Sequence, residues 1–250
     1  MLGKSIRFNS IALGLFALVT AALLATTNLG TKDRIAEAKR EVAKRALLEI
    51  VPLERHNNDL LVDTLDIPPT YWPTLGIKNG QVNIARNGDE LVAVIIPTVA
   101  PDGYNGDIQM IVGINVGGNV DGTVAGVRVI SHRETPGLGD KVDLKKNDWI
   151  LGFNGKSLTN PKPEGWKVKK DKGAFDQFTG ATITPRAVIQ QVLKTLQYYK
   201  EDQKRLLKAA KQSAVAPSEA TPETIPSSTT PTSTPVSAPK LIQAEASTND

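Results

Sequence analysis

The chain has 250 residues, enough for one or two domains, and a mild formal charge of +4 from 30 Lys and Arg against 26 Asp and Glu. No dense basic stripe interleaved with aromatics occurs, which argues against a nucleic-acid partner. The absence of cysteine excludes disulfides, Cys-ligated iron–sulfur clusters, thiolate nucleophiles and a lipid-modified Cys anchor. His56 and His132 are the only histidines and lie far apart, so no His-based metal site is expected and any redox chemistry needs an organic cofactor.

Ser10 to Leu29 carries no charged residue and has about the length of a bilayer-spanning helix. Lys4 and Arg7 precede it, which favours a cytoplasmic N-terminus over residues 1–9, although Lys32, Arg34, Lys39 and Arg40 follow it. A retained anchor over 10–29 is expected; a cleaved signal peptide, whose apolar region is usually ~7–15 residues, is the rival, and both readings export the rest of the chain. Residues 32–50 read as a helix with Ile35, Ala38, Val42, Ala46 and Ile50 on one face, a solvated stalk that Pro52 and Pro68-Pro69 end. Residues 30–79 are accordingly taken as helical stalk and linker.

From Gly80 the texture becomes strand-like. Val82–Arg86 precedes an Asn87-Gly88 hairpin signal, and Leu91–Pro97 follows it. Ile108–Val116 and Val124–Ser131 form a second pair across a Gly-Gly-Asn-Val-Asp-Gly turn, so the region reads as an antiparallel sheet. Thr184 to about Lys211 reads as a long helix, with Thr184 as N-cap, Pro185 in the first turn, and Val188, Val192, Leu196 and Tyr199 as its apolar stripe. The fold class expected is α+β, an antiparallel sheet flanked by helices on one transmembrane anchor. Residues 212–250, rich in Pro, Ser, Thr and Ala, have too little apolar surface to offset ordering entropy and read as a disordered tail.

Two segments carry the chemistry. In Asp176-Gln177-Phe178-Thr179-Gly180-Ala181-Thr182-Ile183-Thr184, small residues allow close backbone approach to a ligand, and Gly180 can adopt positive φ. The segment lies just before a helix whose unpaired N–H groups and dipole suit a phosphate, and the Thr179, Thr182 and Thr184 hydroxyls add donors. The bland alternative is a plain helix cap. In His132-Arg133-Glu134-Thr135-Pro136-Gly137-Leu138-Gly139, a turn centred on Pro136-Gly137 is the simplest reading; the functional one rests a planar ring against Gly137 and Gly139, with Leu138 as apolar contact. Trp149, Trp166 and Phe178 suit either ring stacking or the core, with at least two expected in the core. Lys167, Lys169, Lys170 and Lys172 are read as a solubilising face beside Asp171, and His132 as structural.

Together, HRETPGLG and DQFTGAT resemble the covalent FMN-binding domain shared by the G subunit of the Rnf electron-transport complex and the C subunit of the sodium-pumping NADH:quinone reductase. The resemblance covers roughly residues 1–205. It implies FMN joined by a phosphoester bond to Thr182, with Asp176, Thr179, Gly180 and Ala181 completing the acceptor motif. It further implies that the loop Glu134, Thr135, Gly137, Leu138 and Gly139 helps hold the isoalloxazine. The FMN-binding domain with its C-terminal helix would occupy residues 80–211. The segment Ala100–Ile108 looks like the Rnf branch, and the Gly-Leu-Trp element of the other branch is not found.

A Thr hydroxyl is a poor spontaneous nucleophile, so a separate flavin transferase is implied for maturation, and any metal belongs to that enzyme. The expected function is a redox relay in the bacterial inner membrane, with its FMN domain periplasmic, working beside other membrane subunits of an ion-translocating complex. A relay needs no catalytic acid or base. The alternatives are the C subunit of a sodium-pumping reductase, a non-redox exported binding module and a flavin-binding sensor.

Overall fold

The computed structural model describes residues 2–215. One helix, α1 (Leu2–Ile50, 49 residues), carries the apolar stretch and continues without a break through the stalk. Its most apolar window reaches a mean hydropathy of 2.0 and is wholly exposed, as a membrane-crossing segment would be outside its lipid.

Five strands make one sheet in chain order: β1 (Thr64–Asp66), β2 (Gln81–Asn87), β3 (Glu90–Gly103), β4 (Gly106–Asn115) and β5 (Val124–Ser131), every neighbour antiparallel. A short helix, α2 (Trp72–Leu75), sits between β1 and β2, and α3 (Ile183–Val215, 33 residues) follows the sheet. The α+β class expected from the sequence is therefore what the chain adopts.

Alternation along the strands divides the core. Val82, Ile84, Val94, Ile96, Met110 and Val112 share one buried cluster with Val188, Val192, Leu196 and Tyr199 of α3. Ala85, Ala93 and Ile95 face the other way and form a second cluster with Leu47, Ile50 and Val51 at the end of α1. Burial on both faces explains why β3 reads as a continuous apolar run. Where α1 meets the sheet, Gly113 and Gly126 leave room for the Ile50 side chain; a Cβ on Gly126 would lie 3.3 Å from Ile50 Cγ1. Arg128 fastens the junction, donating through Nε to Glu49 Oε2 at 2.8 Å and through Nη2 to the Glu49 carbonyl at 3.1 Å.

Several details differ from the sequence reading. The three-residue β1 lies inside the expected linker, paired to β2 from Thr64 opposite Asn83 to Asp66 opposite Gln81. β3 does not stop at Pro97 but runs to Gly103, because past Ile95 it pairs only with β4, so a proline there meets a free edge. Of the expected stalk stripe, Ala46 and Ile50 are buried while Ile35 and Val42 are half exposed, since the sheet reaches only the last turn of α1. Thr184 does not cap α3: the helix starts at Ile183, Thr182 precedes it, and the Thr184 hydroxyl donates to the Glu134 carboxylate. α3 continues past Lys211 to Val215, and the rest of the expected tail lies outside the described residues.

Candidate functional site

The site is built from two tight turns and one helix start. After β5, the Leu138 and Gly139 N–H groups both donate to the Thr135 carbonyl at 3.1 Å. Pro136 and Gly137 occupy the centre of this turn and Gly137 has φ +78°, the left-handed value that position requires. The second turn closes with the Ala181 N–H donating to the Phe178 carbonyl at 3.1 Å, with Thr179 and Gly180 (φ +80°) at its centre. The two turns face each other closely: a Cβ on Gly180 would lie 3.5 Å from Leu138 Cδ2. Small residues at both turn apices thus bring two loops together beside the N-terminus of α3.

The long segment between β5 and α3 has little regular structure, and aromatic packing holds it. Phe153 stacks on Phe175 with ring centroids 4.7 Å apart, Trp166 lies 5.2 Å from Phe175, and Trp149 meets Phe178 edge to face at 5.1 Å. Trp166 and Phe178 are buried, and neither they nor Trp149 lines the cleft. The Trp149 indole N–H donates to the Asp176 carbonyl at 2.8 Å and fixes the approach to the second turn.

Between the turns and the helix lies a cleft of about 300 Å³ lined by Tyr104, Glu134, Thr135, Leu138, Gly139, Gly180, Ala181, Thr182, Ile183 and Thr184. Eight of these carry the expectations raised by the motifs: Glu134, Thr135, Leu138, Gly139, Gly180, Ala181, Thr182 and Thr184. Gly137, Asp176 and Thr179 do not line it. Gly137 shapes its turn, Thr179 is exposed at the apex of the other, and the exposed Asp176 pairs with Lys169 at 2.6 Å. Tyr104 and Ile183 are additions that the motifs do not announce. Tyr104 occupies the two-residue β3–β4 hairpin between Gly103 and Gly106, a turn signal that the glycine spacing carries. His132, expected to be structural, accepts the Glu134 N–H through Nδ1 at 3.1 Å.

Apart from Glu134, the charged residues near the helix start stay outside the cleft lining. Arg186 donates through Nε and Nη2 to both carboxylate oxygens of Asp171 at 2.7 Å, and this pairing holds the Asp171 carboxyl below its ordinary value.

The residues present fit FMN. The cleft has apolar walls for a flat ring in Leu138, Ala181 and Tyr104, a helix N-terminus for a phosphate, and a half-buried hydroxyl-bearing residue, Thr182, at the point where the helix begins. Fold and cleft define the class: a flavin-binding α+β domain borne on an N-terminal helix. The FMN-binding domain family matches residues 103–197, and the RnfG N-terminal region matches residues 1–50. Proteins named as the G subunit of the ion-translocating oxidoreductase complex are similar over most of their length. The one from Pseudomonas aeruginosa is 47% identical over 206 residues, covering 82% of this chain and 93% of its own. That from Shewanella loihica is 47% identical over 82% of this chain and 94% of its own, and that from Vibrio atlanticus 42% over 82% and 95%. The chain belongs to this family, the G subunits of ion-translocating oxidoreductase complexes.

Proposed function

We propose that the chain is a membrane-anchored electron-transfer flavoprotein subunit of an ion-translocating oxidoreductase complex, with one FMN esterified through its phosphate to Thr182. The observation that carries this reading is the position of Thr182, which lines the cleft one residue before α3. When bound, FMN supplies the electron-carrying chemistry; the protein supplies position and electrostatics. Leu138, Gly139, Gly180 and Ala181 form the wall against which the ring would rest, and the first free N–H groups of α3 would receive the phosphate.

Attachment requires a flavin transferase using FAD. The Thr182 Oγ forms a bond to the phosphorus of the FMN half, the pyrophosphate P–O bond breaks, AMP leaves, and the hydroxyl proton passes to a base of the transferase. The exposed Asp176 and Thr179 point to a second role for the motif: they stand on the surface that a modifying enzyme reads, while Gly180, Ala181 and Thr182 serve the cofactor. Other membrane subunits of the complex are the electron donor and acceptor. The periplasmic side of the inner membrane is proposed for the domain from the family resemblance together with Lys4 and Arg7 before the span, against the opposing Lys32, Arg34, Lys39 and Arg40 after it.

Intact mass and in-gel flavin fluorescence, on wild type and Thr182→Ala co-expressed with a flavin transferase, test the attachment. Wild type should gain the mass of one FMN less one water and fluoresce after denaturation, and the variant should do neither. Absence of flavin from both, with an active transferase, would leave a non-redox binding module in its place.

A further inference from the structure

Glu134 is buried to 5% exposure, and no salt bridge to a Lys or Arg engages it among the described residues. Its two carboxylate oxygens are instead divided between two other parts of the cleft. Oε1 accepts the Asn105 N–H at 3.0 Å, from the hairpin that carries Tyr104. Oε2 accepts the Thr184 hydroxyl, from the first turn of α3. Glu134 itself opens the loop that carries Leu138 and Gly139, and Asn105 also donates through Nδ2 to Thr135 Oγ1 at 3.2 Å. Three of the segments that wall the cleft, the loop, the hairpin and the first turn of α3, therefore meet at one carboxylate.

Two glycines make space for it. A Cβ on Gly103 would meet the Gly106 carbonyl oxygen first, at 2.2 Å, and then Glu134 Oε1 at 2.9 Å, and one on Gly139 would lie 2.6 Å from Oε2 and 2.7 Å from Thr184 Oγ1. Both are closer than real Cβ contacts allow. Gly103 stands at the base of the hairpin and Gly139 in the loop, so two of the three walls leave out a side chain at the point where this carboxylate sits. A buried carboxylate without a cationic partner is unfavourable unless its hydrogen bonds are made, and here both oxygens are engaged.

We infer that Glu134 is the positioning residue for flavin attachment: by holding the Thr184 hydroxyl it fixes the first turn of α3, and with it the Thr182 hydroxyl two residues away, against the loop and hairpin that receive the ring. The inference rests on the reading of Thr182 as the FMN acceptor. Glu134 acts through Thr184 and Asn105 and takes no part in the transfer itself.

The test measures the rate of flavin attachment by intact mass, with purified transferase, FAD and full-length protein in detergent. The variants are Glu134→Ala, Glu134→Gln, Thr184→Val and the double variant Glu134→Ala/Thr184→Val, and the thermal midpoint of each unloaded protein reports folding. Misplacing a reacting group by about 1 Å slows transfer on the order of 100-fold, and a loss of that order is expected for folded Glu134→Ala and Thr184→Val. The double variant should be no slower than the worse single variant, because both break one link. Glu134→Gln, whose Oε1 still accepts from Asn105 and whose Nε2 can donate to the Thr184 hydroxyl in place of accepting from it, should recover most of the rate lost in Glu134→Ala. Wild-type rates in folded Thr184→Val, or additive losses in the double variant, would overturn the inference. So would Glu134→Gln attaching flavin as slowly as Glu134→Ala, since charge rather than placement would then matter. If Glu134→Ala does not fold, Thr184→Val and Glu134→Gln carry the same decision. Failure of wild type to take up flavin would instead sink the acceptor reading.

Discussion

The glycines of the loop after β5 have different jobs, and substitution separates them. Gly137 has open space around its Cβ direction but φ +78°, so Gly137→Ala carries only the left-handed backbone penalty of about 1–2 kcal/mol. Gly139 has no left-handed φ, yet a Cβ there would press on Glu134 and Thr184. Gly139→Ala should lower stability by about 1–3 kcal/mol through overpacking and, unlike Gly137→Ala, reduce flavin attachment. Urea unfolding of the unloaded proteins checks the first statement and intact mass the second. The sequence exposes these positions only in part. It marks Pro136-Gly137 as a turn centre and Gly180 as able to adopt positive φ, and both glycines have positive φ. It assigns Gly139 to the approach of a ring, whereas the structure adds a reason no linear pattern contains: room for a carboxylate hydrogen-bonded 50 residues away in the chain. Thr184 reads wrongly as a cap for the same cause. A hydroxyl before a helical pattern is a cap unless a distant acceptor claims it.

At the scale of elements, the junction of α1 with the sheet and the start of α3 each rest on a few contacts. Ile50 is almost wholly buried where Gly113 and Gly126 leave space, and Ile50→Ala should cost about 2–5 kcal/mol, measured as a loss of unfolding free energy of the domain. Val42→Ala, on the same helix but half exposed, should change little. At α3, the Asp171–Arg186 pair lowers the Asp171 pKa in the folded state from its ordinary 3.8, chiefly through the hydrogen bond from Arg186. A carboxyl lowered on folding contributes stability above its unfolded pKa and loses it as pH falls through the folded value. Asp171→Asn should therefore depress the thermal midpoint slightly at neutral pH, the pair being solvent-exposed, and the gap to wild type should close on acidification below 3.8. Elements with a period of their own are readable: β2, β4, β5 and the stripe of α3 follow from alternation and helical spacing. β1 is not, because three residues, Thr-Leu-Asp, have no period and exist as a strand only by pairing with β2. The extension of β3 through Pro97 and Pro101 is hidden for a related reason, since a proline's tolerance depends on which neighbour strand has already ended.

At the scale of the molecule, α1 is both anchor and stalk. From Leu29 to Ile50 it rises roughly 30 Å at 1.5 Å per residue, and its last turn is packed into the sheet, so the flavin cleft is carried on a rod with no loop between membrane and domain. The sequence divides this rod at residue 30 because the apolar run ends there, although nothing in the backbone changes. The rod offers a direct test of sidedness. Lys32, Arg34, Arg40, Lys44 and Arg45 are exposed along it, whereas the sheet and α3 form a packed core that resists cleavage. Trypsin added to intact spheroplasts should cut the stalk and release a soluble fragment that fluoresces as a flavin after denaturation. Release only after the spheroplasts are opened would put the domain on the cytoplasmic side and reverse the orientation inferred from Lys4 and Arg7. The fluorescence of the released piece separates orientation from loading: a non-fluorescent fragment appearing outside would keep the periplasmic placement and reject the flavin at Thr182, because the cut lies more than 100 residues before the acceptor and leaves the cleft whole.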